Sequence, residues 1–194
     1  WDVETTINPI RDHCGIVGIY SKEQINIPEH LFYALFSLQH RGQESAGIAY
    51  RKNGSLVAYK GLGMVSTVLS RYLEEPKLSD VGIGHVRYST KGGNRIENAQ
   101  PILADCNKGE LAIAHNGTLS NGDTLKRGLF DEGSIFQTTS DTELILHMIA
   151  RSRRDSFIDA LKTTLAELRG AFSLVIVHNG SLIGIRDPQG FRPL

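Results

Sequence analysis

Two Asn-Gly dipeptides, at 53–54 and 179–180, each separate two short runs in which apolar and polar residues alternate. Asn-Gly readily adopts the positive-φ backbone of a type I′ turn, which is the connection of a tight two-residue hairpin. We therefore expect two antiparallel strand pairs, 46–51 with 56–60 and 172–178 with 181–187. These hairpins argue against an all-parallel sheet and constrain the fold more than any other feature.

Other segments complete a mixed architecture. Three more strand-like apolar runs lie at 16–20, 81–87 and 111–115. Helical patterns cover 28–40 with Pro28 in the first turn, 140–152 and 155–168. Antiparallel sheets that pack on each other and carry helices on their outer faces form a layered α+β sandwich. We predict an αββα arrangement of two mainly antiparallel sheets in one domain.

The composition excludes several functional classes. Lys plus Arg and Asp plus Glu number 21 each in a chain of 194 residues, so no basic surface for nucleic acid is expected. The longest apolar runs, about six residues, are far shorter than the ~20 of a membrane helix. The two cysteines form no CxxC motif, and the seven histidines show no metal-ligand spacing. We expect a cytoplasmic protein with no metal site, and core roles for His85, His115 and His178.

The stretch "AHNGTLSNG", residues 114–122, ends a predicted strand with Asn116 and Gly117 and continues into polar residues and a weak helical pattern. A simple turn is one explanation. The other is a donor pair, in which the Asn116 side-chain amide and the Gly117 backbone N–H stabilise an oxyanion during acyl transfer. The only thiol with a structural context suited to such chemistry is Cys14, at the start of an apolar strand, although a buried inert cysteine is the commoner case.

Two further stretches could hold an amino acid. Arg87 ends the strand in "GHVRYSTKGG" and has the geometry to bind a carboxylate. "TSDTE" is predicted to be a capping box, with Ser140 at the N-cap and Glu143 three residues later. That leaves the carboxylate of Asp141 in the first helical turn, where it could bind an ammonium group.

Seven segments then form one pattern across residues 14–194: "CGIVGIY", "LQHRGQESAGI", "GIGHVRYSTKGG", "ENAQP", "AHNGTLSN", "TSDTE" and "GIRDPQGFRPL". Together they resemble the glutaminase domain of the amidophosphoribosyltransferase family, which are class II glutamine amidotransferases with the N-terminal-nucleophile hydrolase fold. The "RGQES" stretch and Tyr88 separate the chain from the related glutaminase of glucosamine-6-phosphate synthase. The glutaminase of another class II amidotransferase stays an alternative.

The resemblance implies a role for each site residue. Cys14 would be the nucleophile, and Asn116 with Gly117 the oxyanion hole. The glutamine pocket would be formed by Arg87, which holds the carboxylate, Asp141, which holds the α-amino group, and by Tyr88, Ser89, Thr90 and Arg41. The implied reaction is hydrolysis of glutamine through a thioester, with release of ammonia.

The resemblance also implies features beyond the glutaminase domain itself. The family's cysteine begins the mature chain, so we expect residues 1–13 to be a leader that is removed. An attached phosphoribosyltransferase domain would use the ammonia to form 5-phosphoribosylamine in the first step of purine synthesis. Mg²⁺, an iron–sulfur cluster in some members and homo-oligomer formation would belong to the full-length enzyme, with no cofactor in this domain. The alternative from a different class is a silent module for assembly or regulation, in which the leader permanently blocks Cys14.

Overall fold

The computed structural model describes residues 14–88 and 95–194. The strands are β1 (Gly15–Ile25), β2 (Ser45–Lys52), β3 (Ser55–Leu62), β4 (Ser79–Arg87), β5 (Ile102–Cys106), β6 (Gly109–Leu119), β7 (Gly170–His178) and β8 (Ser181–Arg186). The α-helices are α1 (Ile27–Ser37), α2 (Val65–Leu69), α3 (Gly122–Asp131), α4 (Asp141–Arg151) and α5 (Phe157–Glu167). Three short 3₁₀ turns lie at Gln39–Arg41, Ser70–Tyr72 and Ile96–Asn98.

The strands form two four-stranded sheets, and every pairing is antiparallel. The first sheet has the order β1-β4-β2-β3 and the second the order β5-β6-β7-β8. Both predicted hairpins are present as β2–β3 and β7–β8. Their turns carry positive φ at both central residues, 52° and 91° at Asn53 and Gly54, and 48° and 75° at Asn179 and Gly180. The type I′ prediction is confirmed.

The two sheets pack face to face through small and β-branched side chains. That inner layer includes Ala49, Ile83, Ala112, Ala114 and Val175. On the outer face of the first sheet, α1 and α2 contribute Leu31, Leu35, Val65 and Leu69 to a second core. Helices α4 and α5 cover the second sheet with a third core that includes Leu144, Ile145 and Leu161. The predicted αββα sandwich is confirmed.

Helix α1 lies close to the first sheet because β4 carries glycine beneath it. A methyl group on Gly82 would lie 2.6 Å from the Ile27 side chain, and one on Gly84 would lie 2.8 Å from Leu35. Both glycines are therefore packing positions. The close approach seals the outer face of the strand that ends at Arg87.

Several boundaries differ from the sequence prediction. The chain bends after Ser37 into a 3₁₀ turn, so the first helix ends earlier than expected. Strand β5 and the short helix α2 were missed, because each is only five residues long and too short for a clear periodicity. Strand β6 continues through Asn116 and Gly117 to Leu119. The turn alternative for that Asn-Gly pair is therefore wrong.

Two exposed glycines with open space around Cβ should respond oppositely to alanine. Gly54→Ala places a side chain at a φ of 91° and should lower the free energy of unfolding by about 1 kcal/mol. Gly128→Ala, within α3, should raise it by roughly 0.5–1 kcal/mol because alanine favours helix. Urea denaturation measures both. Equal effects of the two substitutions would contradict the turn assignment.

Candidate active site

Cys14 lies at the end of the first sheet, directly before β1. Since Gly15 pairs with Val86, Cys14 stands across from Arg87, the last residue of β4. Its Sγ lies 3.7 Å from the Tyr88 carbonyl oxygen, which accepts a hydrogen bond from the thiol. The φ of Cys14 is 63°, a left-handed conformation that costs a residue with a side chain on the order of 1–2 kcal/mol. Such strain is typical of functional positions.

Arg41 holds the backbone of Cys14 from both sides. The Cys14 N–H donates to the Arg41 carbonyl at 3.0 Å, and the Arg41 Nε donates to the Cys14 carbonyl at 2.9 Å. The 3₁₀ turn Gln39–Arg41 places this arginine beside the strand. The two bonds fix the strained cysteine and explain how "RGQES" bears on the site.

The surroundings of the Cys14 thiol favour its protonated form overall. Burial raises the pKa of Cys14, while the positive charges of Arg87 and Arg192 act in the opposite direction. The net effect is a pKa above the ordinary value. A thiol in this environment needs a neighbouring base before it can act as a nucleophile.

Asn116 and Gly117 occupy β6 in the second sheet. Asn116 is 3 % exposed, and its Oδ1 has no hydrogen-bond partner among the described residues. Gly117 has a φ of 142°, and a methyl group there would lie 2.1 Å from the Ala171 carbonyl oxygen. Only glycine fits at this point, where β6 approaches β7.

The Gly117 N–H points away from β7. Gly117 stands opposite Phe172, whose own N–H and C=O bond to Asp187 on the far side of β7. Antiparallel pairs alternate between bonded and non-bonded, so Gly117 and Phe172 are a non-bonded pair. The N–H groups of His115 and Leu119, two residues before and after Gly117, point to the same side of β6. The first donates to the Gln100 side chain and the second to the Asp141 carboxylate. Gly117 thus presents its donor at the side where β5 has already ended.

Asp141 is the first residue of α4 and is tied to this strand. Its Oδ2 accepts a hydrogen bond from the Leu119 N–H at 3.0 Å, two residues beyond Gly117. Ser140 caps the helix by accepting from the Thr142 N–H, as predicted. The capping box also predicts that the Ser140 N–H donates to the Glu143 carboxylate. That part is wrong, because this carboxylate accepts from the Gln137 and Thr138 N–H groups instead.

A buried polar contact joins the two sheets beside these residues. The His85 Nε2 of β4 lies 3.1 Å from the His115 carbonyl oxygen of β6. His85 is two residues from Arg87, and His115 directly precedes Asn116. The predicted core placement of both histidines is confirmed, and their contact brings the ends of β4 and β6 together.

The chain's last residues approach the same region, which sequence reasoning missed. Asp187 accepts hydrogen bonds from the N–H groups of Phe172, Phe191 and Arg192. This brings the Arg192 charge close enough to influence the pKa of both Cys14 and His115. The segment "RDPQGFRPL" carried the available signal, since Asp, Pro and Gly together mark a turn whose backbone a carboxylate can cap.

Some predicted positions lie outside the described residues, namely Ser89, Thr90 and the segment 1–13. Within 14–88 and 95–194, no group of three or more His, Cys, Asp or Glu side chains is arranged to hold a metal ion. No helix of that part of the chain is long and apolar enough to cross a membrane.

Comparison with known proteins identifies the family to which this chain belongs. Residues 85–194 match the family model described as a glutamine amidotransferase domain, which is the class that the fold and site define. The chain is 46% identical over 183 residues to the amidophosphoribosyltransferase of Methanocaldococcus jannaschii, covering 93% of this chain and 39% of the relative. It is 40% identical over 186 residues to that of Lacticaseibacillus casei, covering 95% of each. The chain belongs to the amidophosphoribosyltransferase family, as its glutamine amidotransferase domain.

Solved structures agree. Glutamine phosphoribosylpyrophosphate amidotransferase from B. subtilis superimposes with a TM-score of 0.81 at 42% identity, covering 92% of this chain and 38% of that one. The structure of the allosteric regulatory enzyme of purine biosynthesis superimposes with a TM-score of 0.83 at 43% identity, covering 92% of this chain and 38% of that one. The αββα sandwich is the N-terminal-nucleophile fold that the sequence predicted. The chain spans about two fifths of the length of most of these relatives.

The two buried histidines predict a pH dependence of stability. Burial lowers the pKa of His85 to about 3 and that of His115 to about 4, against about 6.5 in an unfolded chain. Between pH 6.5 and about 4 the unfolded state binds up to two more protons, so the free energy of unfolding should fall as pH falls. The slope should approach about 2.7 kcal/mol per pH unit.

Urea denaturation between pH 5 and 6.5 measures this slope, above the range where most carboxylates titrate. His85→Gln removes one of the two titrating groups and should reduce the slope by about half. A free energy of unfolding that does not change over this range would contradict the buried neutral state of both rings.

Proposed function

We propose that this domain hydrolyses the side-chain amide of glutamine, with Cys14 as the nucleophile. The observation that carries the proposal is the convergence of two sheet ends. The first sheet provides a strained cysteine beside Arg87, and the second provides Asn116 and Gly117. The contact between His85 and His115 brings the two sheet ends together. The family membership supports glutamine as the substrate.

The chemistry follows from these groups. The Cys14 sulfur attacks the amide carbon of glutamine, and its proton passes to a base. The negative oxygen that forms is stabilised by the Asn116 amide and the Gly117 N–H, because donors fixed in advance act most strongly where charge develops. The C–N bond breaks, ammonia leaves with the transferred proton, and water hydrolyses the thioester to glutamate.

The base in this proposal is the α-amine of Cys14 once it begins the chain. An α-amine has a pKa near 7.7–8.0, well placed to accept the thiol proton near neutral pH. With residues 1–13 attached, the same nitrogen is an amide and cannot accept a proton. The Arg41 carbonyl, 3.0 Å from this nitrogen, would orient the freed amine.

Substrate recognition uses charges at the rim of the site. Arg87, the last residue of β4, would bind the glutamine carboxylate, and Asp141, the first residue of α4, its ammonium group. Tyr88 and Arg41 lie against Cys14 and would line the pocket. Ser89 and Thr90 are proposed to complete it.

The complete enzyme is a further part of the proposal. Relatives that carry the name amidophosphoribosyltransferase are mostly more than twice as long as this chain. We propose that the ammonia released here passes to a phosphoribosyltransferase domain for the first step of purine synthesis. Mg²⁺ and any iron–sulfur cluster would belong to that domain, and the homo-oligomer would be formed by the full-length enzyme.

The test compares two forms of the protein, one starting at Trp1 and one starting at Cys14. Intact mass and N-terminal sequencing define each chain, and glutamate release from glutamine measures activity. We expect activity only in the form that starts at Cys14, together with covalent labelling of Cys14 by a glutamine-like diazo-ketone. Cys14→Ala should abolish both.

Activity of the Trp1 form, verified by mass after the assay, would overturn the role of the α-amine. A folded Cys14 form that neither releases glutamate nor becomes labelled would overturn the proposed function and favour a silent module. Thermal unfolding of both forms verifies the fold.

Asn116→Ala should lower kcat for glutamine hydrolysis by about 10²–10³, with little change in KM, because the amide donates mainly in the transition state. Asn121→Ala is the matched control, since the side chain of this half-buried asparagine bonds the backbone at Glu167 and Arg169 and takes no part in the proposed oxyanion hole. A similar kcat for both variants would exclude Asn116 from the oxyanion hole.

A further inference from the structure

We propose that His85 and Gln100 are positioning residues for the oxyanion hole. Together they grip the backbone of His115 in place of a neighbouring strand, and thereby fix where the Asn116 amide and the Gly117 N–H lie. The inference rests on the proposed function, because it assigns a purpose to this grip within glutamine hydrolysis.

Strand β6 loses its neighbour on one side just before the proposed hole. The pairing of β5 with β6 begins at Ile102 opposite Ile113, so residues 114–119 have β7 on one side and no strand of β5 on the other. Side chains fill the vacant ladder positions at His115. The Gln100 Oε1 accepts the His115 N–H at 2.8 Å, and the His85 Nε2 lies 3.1 Å from the His115 carbonyl oxygen.

Both contacts are shielded from water. His85 is fully buried, and Gln100 and His115 are 5 % and 4 % exposed. A carbonyl oxygen only accepts, so the Nε2 of His85 carries the proton and donates. Burial lowers the pKa of His85 to about 3, and the ring stays neutral with this donor across the physiological range. Buried hydrogen bonds with no competing water hold their partners firmly.

The two gripping side chains are themselves fixed by the first sheet. His85 is paired in register with Gly47 of β2. A methyl group on Gly47 would lie 2.3 Å from the Gln100 carbonyl oxygen, so the segment that carries Gln100 lies directly against this glycine. The Lys60 ammonium also donates to the Ala99 carbonyl at 2.6 Å. The first sheet therefore sets the position of a strand in the second.

The contact from His85 acts on the peptide unit that joins His115 to Asn116, the first of the two proposed donors. The His115 carbonyl and the Asn116 nitrogen belong to one rigid planar group. A displacement of that carbonyl moves Asn116 with it, and Gly117 follows in the next unit. Catalytic donors lose effect when they shift by about 1 Å, and a change at this distance from the chemistry can cost on the order of 10² in rate.

The test uses two substitutions of His85 in the form that releases glutamate. His85→Gln can place an amide donor near the position of Nε2, whereas His85→Leu keeps bulk without a donor. We expect His85→Leu to lower kcat by about 10–100-fold with KM within threefold. His85→Gln should retain kcat within about threefold. Inhibition by glutamate, which needs the pocket but no oxyanion, should be unchanged in both.

His178 provides the matched control. Its Nε2 also contacts a backbone carbonyl, that of Lys108 at 2.7 Å, but at the far end of β7. His178→Leu should lower the melting temperature and leave kcat within threefold. A purely structural role for His85 predicts that the two leucine variants lose kcat equally, and this result would overturn the inference.

Gln100→Met tests the second contact and replaces His85→Leu if that variant does not fold. It keeps the side-chain length and removes the acceptor, so kcat should fall about 10-fold or more with the glutamate inhibition constant unchanged. If folded His85→Leu or Gln100→Met has the kcat of the wild-type protein, the inference is overturned but the proposed function is not. An inactive wild-type Cys14 form overturns the proposed function and the inference with it.

Discussion

The packing of the two sheets on each other is the interaction on which the rest of this structure depends. Alanine, valine and isoleucine side chains fill the layer between them, so the sheets approach closely and their strand ends meet at one edge. Burial of this layer, at about 25 cal/mol per Å² of apolar surface, stabilises the fold without reference to any site. The alignment of β1 and β4 with β6 is a result of that packing, and the proposed chemistry depends on the alignment.

The elements predicted from sequence are those with strong local signals. The Asn-Gly turns fix two hairpins, Ser140 caps a helix, and the seven predicted apolar runs lie within observed strands or extend one residue past them. The missed elements, β5 and α2, are short, and their conformation is set by what they pack against. Glu143 shows the same limit, because its partners at Gln137 and Thr138 are as plausible from sequence as Ser140.

The candidate site divides along the same line. Cys14, Arg87, Asn116, Gly117 and Asp141 stand out because each lies at the start or end of a predicted strand or helix, and family resemblance assigned their roles. Nothing in the sequence indicates the role of Gln100. Its partner His115 is 15 residues away, and no predicted strand pairing brings the two residues together. The charge of Arg192 influences the pKa of the Cys14 thiol because Asp187 holds the chain end against β7. Contacts of this kind arise from tertiary structure alone.

Two of the proposed catalytic residues carry an unfavourable local feature. Cys14 has a left-handed backbone, and the Asn116 Oδ1 is buried with no partner among the described residues. Each is unfavourable by itself, and an unsatisfied buried acceptor costs on the order of 1–3 kcal/mol. The two antiparallel sheets that pack around them form a continuous core, so they can hold a conformation that an isolated segment would leave.

The gap beside β6 has a consequence for any attempt to stabilise this domain. β5 begins at Ile102, opposite Ile113, so the backbone ladder on this side of β6 stops before Asn116 and Gly117. A redesigned β5 that extended past this point would add backbone bonds and cover the donor of Gly117. Completing the sheet would therefore favour a more stable protein that has lost its exposed backbone donor. In this domain, the missing pairs of the ladder are as informative about its chemistry as the pairs that form.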